Sequence, residues 1–281
     1  MCRFLVAAIV SANDFGCPTT SNLVNYRASL EDDDQSTEDS NETSGIWTKT
    51  SYINHSCFCN AYRAFIGDMM VVRATKDHKA ATEIRFWYLS PLAMESEELR
   101  TKLQHWGFVC DCAICRDTET TDAAMLANRK LIDRVLEALF NSNMNNSILH
   151  IIQSGFTLLD ATYVRPASEV PRLTSWEFRF ALAHTYAQKG DMVKCLEWVE
   201  KTLISLGFIV VGANSRNDSS FIIQSWGIVS NDVVLVFLQA KAAFEALGPP
   251  MSGKARQAEE YARIAYKIVV GEDASFSETH G

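Results

Sequence analysis

No segment of this sequence reaches the roughly eighteen consecutive apolar residues that a bilayer-spanning helix requires. Positive charge is also short. Lys and Arg number 26 against 34 Asp and Glu, a formal net charge of −8. Nonspecific nucleic-acid binding draws its affinity from Lys and Arg clustered on phosphates, so this balance argues against it, and a nucleic-acid-binding finger would lack the basic face it needs. The opening run Met1 to Val10 has one arginine and a short apolar stretch. It sits at the lower limit for a secretory core and reads better as a buried helix of a larger domain. Only Cys2 and Cys17 precede Asn54, and nowhere do two glycines stand one residue apart. From Glu31 to Glu42 there is no apolar residue at all, which reads as a disordered, solvated acidic insertion spanning about 27–45.

What is present is enough for one or two ordinary cores: 281 residues, 47% of them apolar. Five of the eight cysteines fall in two motifs, Asn54-His55-Ser56-Cys57-Phe58-Cys59-Asn60 and Cys110-Asp111-Cys112-Ala113-Ile114-Cys115, the second following Trp106-Gly107-Phe108. Structural zinc takes four soft or borderline ligands in a tetrahedron. A CxCxxC turn supplies three and a remote loop the fourth, so Cys57, Cys110, Cys112 and Cys115 form the candidate zinc set. Cys59 is within reach of the same position and competes with Cys57. The alternatives are buried reduced thiols, since Cys packs as a small apolar residue, and a disulfide framework, which suits small secreted domains better than a chain of this length.

The stretch from Tyr52 to Arg116 resembles the second half of a SET domain with its post-SET zinc segment, most closely the SMYD-like group. The resemblance rests on an ordered set: Asn54-His55-Ser56-Cys57, a strand pair ending in Val71-Val72-Arg73-Ala74, the turn Lys79-Ala80-Ala81-Thr82-Glu83-Ile84, the strand end Phe86-Trp87-Tyr88-Leu89, and the CxCxxC. It implies an S-adenosylmethionine-dependent protein-lysine methyltransferase acting in the nucleus or cytoplasm on a lysine-bearing protein such as a histone. Asn54 and His55 match the family's cofactor-contacting pair, and Tyr88 matches the tyrosine at the lysine channel. Asn13 and Phe15 resemble an Asn-x-Phe element that lines the site, Asn13 toward the cofactor and Phe15 on the channel.

Each residue has a plainer reading beside this one. Tyr88 lies in an aromatic and aliphatic run, Ile84 to Leu89, that suits a buried strand. His55 fits a satisfied core histidine or a zinc ligand in place of a cysteine. The chain also departs from the family pattern. Cys59 stands where proline is usual, and Ala81 where the turn usually has a glycine free to adopt positive φ. The family's glycine-x-glycine cofactor turn is missing, and so is its early cysteine-rich zinc insertion. On this reading the chain resembles a SET protein that starts halfway through its catalytic domain.

After about Thr118 the periodicity turns helical. Ala124 to Phe140 reads as a helix with Leu131, Val135, Leu136 and Leu139 on one stripe. Trp176 to Leu203 reads as a hairpin turning at Gly190-Asp191, similar to one TPR motif, and helices follow over Ser230 to Leu247 and Gly253 to Val270. The expected fold is α+β: a partial SET-type β-fold with a zinc-bound post-SET segment over 1–117, then an all-α TPR-like domain over 118–281. Two functions stay open. One is the methyltransferase, with partner proteins binding its helical domain. The other is a catalytically inactive SET relative acting as a zinc-stabilised interaction module.

Overall fold

A computed structural model of the chain describes residues 13, 15–17, 22–30, 43–142, 145–212 and 220–280. The opening run Met1 to Val10 and the acidic run Glu31 to Glu42 lie outside these residues. The flanks of the expected 27–45 insertion are structured. Helix α1 (Asn22–Ala28) precedes the acidic run, and β2 (Thr43–Gly45) pairs antiparallel with β1 (Phe15–Cys17). Trp47 anchors this end: its indole N–H donates to the Asp68 carbonyl, and its ring packs edge-on against Phe65 and Phe15.

The chain divides into two compact units. The first comprises residues 1–110, 229–235 and 260–281, so it is discontinuous in sequence. It carries α2 (Ser96–Leu103), and its strands are short and pair two by two. β4 (Ala61–Ile66) and β5 (Met69–Ala74) form an antiparallel hairpin from Ala61↔Ala74 to Ile66↔Met69. The two-residue turn between them has Gly67 at φ 59°, where a side chain would meet steric resistance. β3 (Asn54–His55) pairs in parallel with β6 (Arg85–Phe86), two residues on each side. So short a ladder needs side-chain support, and Asn60 provides it. Its amide donates to the Glu83 carbonyl at 2.8 Å while its carbonyl oxygen accepts from the Arg85 N–H at 2.8 Å, as another strand would.

The core of this unit is the Phe15, Phe65 and Phe86 cluster, with Trp47, Ile53, Met70, Val72 and Tyr88 packed on it. The C-terminal residues close its other side. Gly271, at φ 96°, accepts from the Arg73 guanidinium, and a Cβ there would press on Ala64 and Ile66. Tyr26 of α1 packs on Tyr266 and hydrogen bonds His280.

The second unit, residues 111–228 with 236–259, is mostly helical. Its helices are α3 (Ala113–Thr120), α4 (Ala123–Phe140), α5 (Asn146–Ala161), α6 (Trp176–Gln188) and α7 (Met192–Ser205). Asp122, Asn145 and Asp191 cap α4, α5 and α7 by accepting from backbone N–H groups of the first turn. The α6–α7 hairpin turns at Gly190, in the left-handed region at φ 76°. Leu182, Ala183 and Tyr186 are buried on one arm, and Cys195, Val199 and Leu203 on the other. Helices α8 (Asn231–Ala246) and α9 (Ser252–Val270) follow; each has residues in both units.

Two expectations need correcting here. The helical part is not all-α, because β7 (Ile209–Val211) and β8 (Ile222–Ser225) form an antiparallel hairpin. The stripe on α4 is also different: Leu136 is buried, but Leu131 and Val135 are 60% and 48% exposed. The buried partner of Leu136 on this helix is Arg129. Its guanidinium stacks 3.6 Å from the Tyr163 ring centroid and pairs with Asp117 at 2.7 Å. A paired and stacked arginine can occupy an interior position that an apolar pattern assigns to leucine.

The departure at Ala81 proves physical. It has φ 64°, and among the described residues it is the one non-glycine with positive φ. An L-residue in this region carries about 1–2 kcal/mol of steric cost, partly offset by the greater chain entropy glycine would lose on folding. Ala81→Gly is therefore expected to stabilise the chain by about 0.5–1 kcal/mol in urea unfolding. An unchanged or lower midpoint would show that the turn is not strained.

Candidate active site and metal centre

The parallel pairing of β3 with β6 brings the Asn54 to Cys57 run against the Phe86 to Tyr88 run. Ser56 N–H continues the ladder by donating to the Phe86 carbonyl, and the Trp87 indole N–H donates to the Cys57 carbonyl at 3.0 Å. His55 is buried here with both ring nitrogens engaged. Nδ1 lies 3.1 Å from the Tyr88 backbone nitrogen, and Nε2 lies 3.4 Å from the Cys57 sulfur. A backbone N–H can only donate, so Nδ1 is the acceptor. A neutral ring then carries its proton on Nε2 and donates it to the Cys57 sulfur. A protonated Nε2 cannot ligate a metal, which removes the reading of His55 as a zinc ligand.

The sulfur atoms of Cys57, Cys110, Cys112 and Cys115 all lie within 4.8 Å of one another, three of the residues buried and Cys115 half-buried. Zinc–thiolate bonds of about 2.3 Å in a tetrahedron set sulfurs about 3.8 Å apart. Cys57 and Cys110 stand 3.8 Å apart. The four thiols thus fit a structural zinc ion. Cys112 precedes α3 and Cys115 lies in its first turn, where helix N-terminal amides favour thiolate. Cys59 does not join this group. It is buried, and burial pushes its thiol up to about 12.

Tyr88 is half-buried, walled by Trp106, Phe108, Phe86 and His55, with ring centroids 5.4 to 5.9 Å away. Its hydroxyl donates to the Ile53 carbonyl at 2.9 Å. Burial raises its pKa above the ordinary tyrosine value. It therefore stays neutral near pH 7, with its proton committed and its oxygen lone pairs left to accept. Phe15 belongs to the same aromatic cluster, edge-on to Phe86 at 6.0 Å. Asn13 is half-buried two residues before it.

Asn54 is exposed at the edge of β3, and its amide donates to Glu83 at 2.7 Å. Arg85 holds the same carboxylate from its other side, and these hydrogen bonds keep Glu83 below the ordinary glutamate range. The structure thus joins Phe15, His55, Cys57 and Tyr88 in one cluster and sets the Asn54 side chain on the exposed rim. The sequence reading assigned no role to Asn60, Glu83, Trp106 or Phe108. Only the Trp106-Gly107-Phe108 run ahead of the cysteines signalled one.

Residues 6–89 match a family profile described as SET domain. A Gibberella zeae protein named methyltransferase is 32% identical over 98% of this chain and 38% of its own length. The human histone-lysine N-methyltransferase SMYD3 is 39% identical over 29% of this chain and 19% of its own. The Eremothecium gossypii histone-lysine N-methyltransferase SET5 is 34% identical over 27% of this chain and 16% of its own. The chain contains a SET domain. It is related to SMYD-type and SET5 methyltransferases, and it spans well under half the length of these relatives.

The SET match covers β1 through Tyr88. It takes in Phe15, Asn54, His55 and Cys57, and the Cys110 to Cys115 run follows it. His55 ties the two features together, one nitrogen on the tyrosine segment and the other on a candidate zinc thiolate. Partners of this kind commonly change metal affinity by about 10–100-fold. Cys112→Ser is expected to abolish stoichiometric zinc binding by mass spectrometry, while Cys59→Ser retains it. His55→Ala is expected to weaken zinc about tenfold in a chelator competition. Loss of the metal in Cys59→Ser with retention in Cys112→Ser would reverse the ligand assignment.

Proposed function

We propose that this SET domain is an S-adenosylmethionine-dependent protein-lysine N-methyltransferase. The observation that carries the reading is the hydrogen-bonded placement of Tyr88, its N–H on His55 and its hydroxyl on the Ile53 carbonyl, inside a wall of Trp106, Phe108 and Phe86. The donor set suits the cofactor. Aromatic faces stabilise a cationic sulfonium, and the exposed Asn54 amide offers polar contacts at the rim. Because both ring nitrogens of His55 are engaged, its contact with a cofactor runs through its backbone.

Methyl transfer forms an N–C bond as the sulfonium S–C bond breaks, in line and with no intermediate, and it requires a neutral amine. When bound, the cofactor supplies the electrophilic methyl group; the protein supplies alignment and exclusion of water. Tyr88 is placed to do this as a neutral acceptor, orienting an amine N–H or the polarised methyl group. It does not act as the base. Phe15, Trp106 and Phe108 would form the apolar lining along a lysine side chain, with Asn13 contributing on the cofactor side. Zn2+ on Cys57, Cys110, Cys112 and Cys115 would order the segment carrying Phe108. Histones are the substrate class named for the SMYD3 and SET5 relatives, which makes a histone lysine the first substrate to test, in nucleus or cytoplasm. The helical unit would bind protein partners. No helix among the described residues is long and apolar enough to cross a membrane.

One observation favours a second reading, the inactive interaction module: the Asn54 amide is already engaged by Glu83. Calorimetric titration of S-adenosylmethionine into the zinc-loaded chain separates the two. Micromolar binding, weakened at least about tenfold in Asn54→Ala, is expected from the loss of one hydrogen-bonding group. No binding by a folded, zinc-replete sample would leave the interaction module. Tyr88→Phe is expected to cut methylation about 100-fold with zinc content unchanged, and full activity would remove Tyr88 from the chemistry.

A further inference from the structure

Strand β4 presents Ala61, Arg63 and Phe65 on one face, since strand side chains alternate. Ala61 and Phe65 are buried, and Phe65 belongs to the aromatic core. The face that should be wholly apolar therefore carries an arginine. Its guanidinium lies 5.1 Å from the Phe15 ring centroid and 5.3 Å from that of Phe86. Burial pulls its pKa down. No carboxylate of the described residues pairs with it. Charges taken out of water are normally paired, and stacking on two rings replaces only part of the lost hydration. The guanidinium's five donors suit a planar carboxylate held by two parallel hydrogen bonds.

We propose that Arg63 is a carboxylate receptor of the substrate side of this site, selecting a lysine that has an acidic residue beside it. Phe15 and Tyr88 point to the substrate side, because Arg63 stacks on Phe15 and on Phe86, whose ring packs 5.9 Å from that of Tyr88, whereas Asn54 faces Glu83 at the rim. An ammonium group entering beside a guanidinium that no carboxylate of the described residues pairs with would be repelled, and a neighbouring carboxylate cancels that repulsion. The inference rests on the methyltransferase reading for the identity of the amine, and on the Arg63 geometry alone for the anion.

The test compares the zinc-loaded wild type with Arg63→Met and Arg63→Lys, using lysine peptides flanked by Asp or Glu and the same peptides flanked by Ala or Gln, with binding read by fluorescence anisotropy. The wild type is expected to favour the acidic peptides by about tenfold, the strength of a charge-assisted hydrogen bond. Arg63→Met is expected to lose that preference and Arg63→Lys to keep part of it, each with unchanged zinc content and circular dichroism. Equal binding of acidic and neutral peptides by the wild type, or a preference that survives in Arg63→Met, would overturn the proposal. A parallel titration compares S-adenosylmethionine with its decarboxylated analogue. Discrimination between these two that depends on Arg63, with none among the peptides, would move the receptor to the cofactor and overturn the substrate assignment. Acidic-peptide preference in a chain that binds no S-adenosylmethionine would sink the methyltransferase reading and leave the carboxylate receptor standing. If Arg63→Met does not fold, Arg63→Gln takes its place, keeping length and polarity without charge.

Discussion

The site depends on a parallel strand pairing only two residues long, Asn54↔Arg85 and His55↔Phe86. Without it His55 and Tyr88 would have no reason to meet, and Cys57 would not face the cysteines beyond Phe108. So short a ladder cannot stand on its own backbone hydrogen bonds. It is held by the two-sided amide of Asn60, the Trp87 indole on the Cys57 carbonyl, and the two ring nitrogens of His55. Each of these is a side chain standing in for missing backbone pairing. Metal binding would add to the same scaffold, since a structural site contributes folding free energy through the thiolates it gathers.

Two local rules are broken near this scaffold, and both breaks are informative. Ala81 holds a left-handed conformation just before Glu83 and Arg85, the residues that brace Asn54 and Asn60. The turn keeps its shape because the ladder beyond it over-determines the backbone. Arg63 puts a cation on the core face of β4. Local inconsistencies of this kind in an otherwise consistent fold are expected at functional positions. The buried Arg129 is different in character: Asp117 and the Tyr163 ring satisfy it, so it reads as architecture.

Legibility differed between the units for a physical reason. Helix periodicity, caps and the Gly190 turn are written in local sequence, so α4, α6, α7, α8 and α9 were all found near their observed ends. Which face each helix buries is less local. Leu131 and Val135 fit the period of α4 but lie outside, because Arg129 and Leu136 turn inward. The β7–β8 hairpin has no counterpart in the sequence reading, because strands of three and four residues are too short to show a period. The return of residues 260–281 to the first unit was equally invisible, since no composition shift marks a discontinuous unit.

The amino-acid sequence by itself determined the chemistry on offer: four cysteines at metal-ligand spacing, an Asn-His pair, a tyrosine at a strand end, and helices with readable caps. Spacing and residue type suffice for these because ligand softness and turn geometry are local properties. Tertiary structure alone decided the rest. It excluded Cys59 from the thiol cluster and His55 from the ligands, committed the Tyr88 proton to Ile53, and set an arginine among the aromatic rings. Those outcomes turn on which donors and acceptors meet across tens of residues, and hydrogen-bond partners that distant leave no periodic trace in the chain.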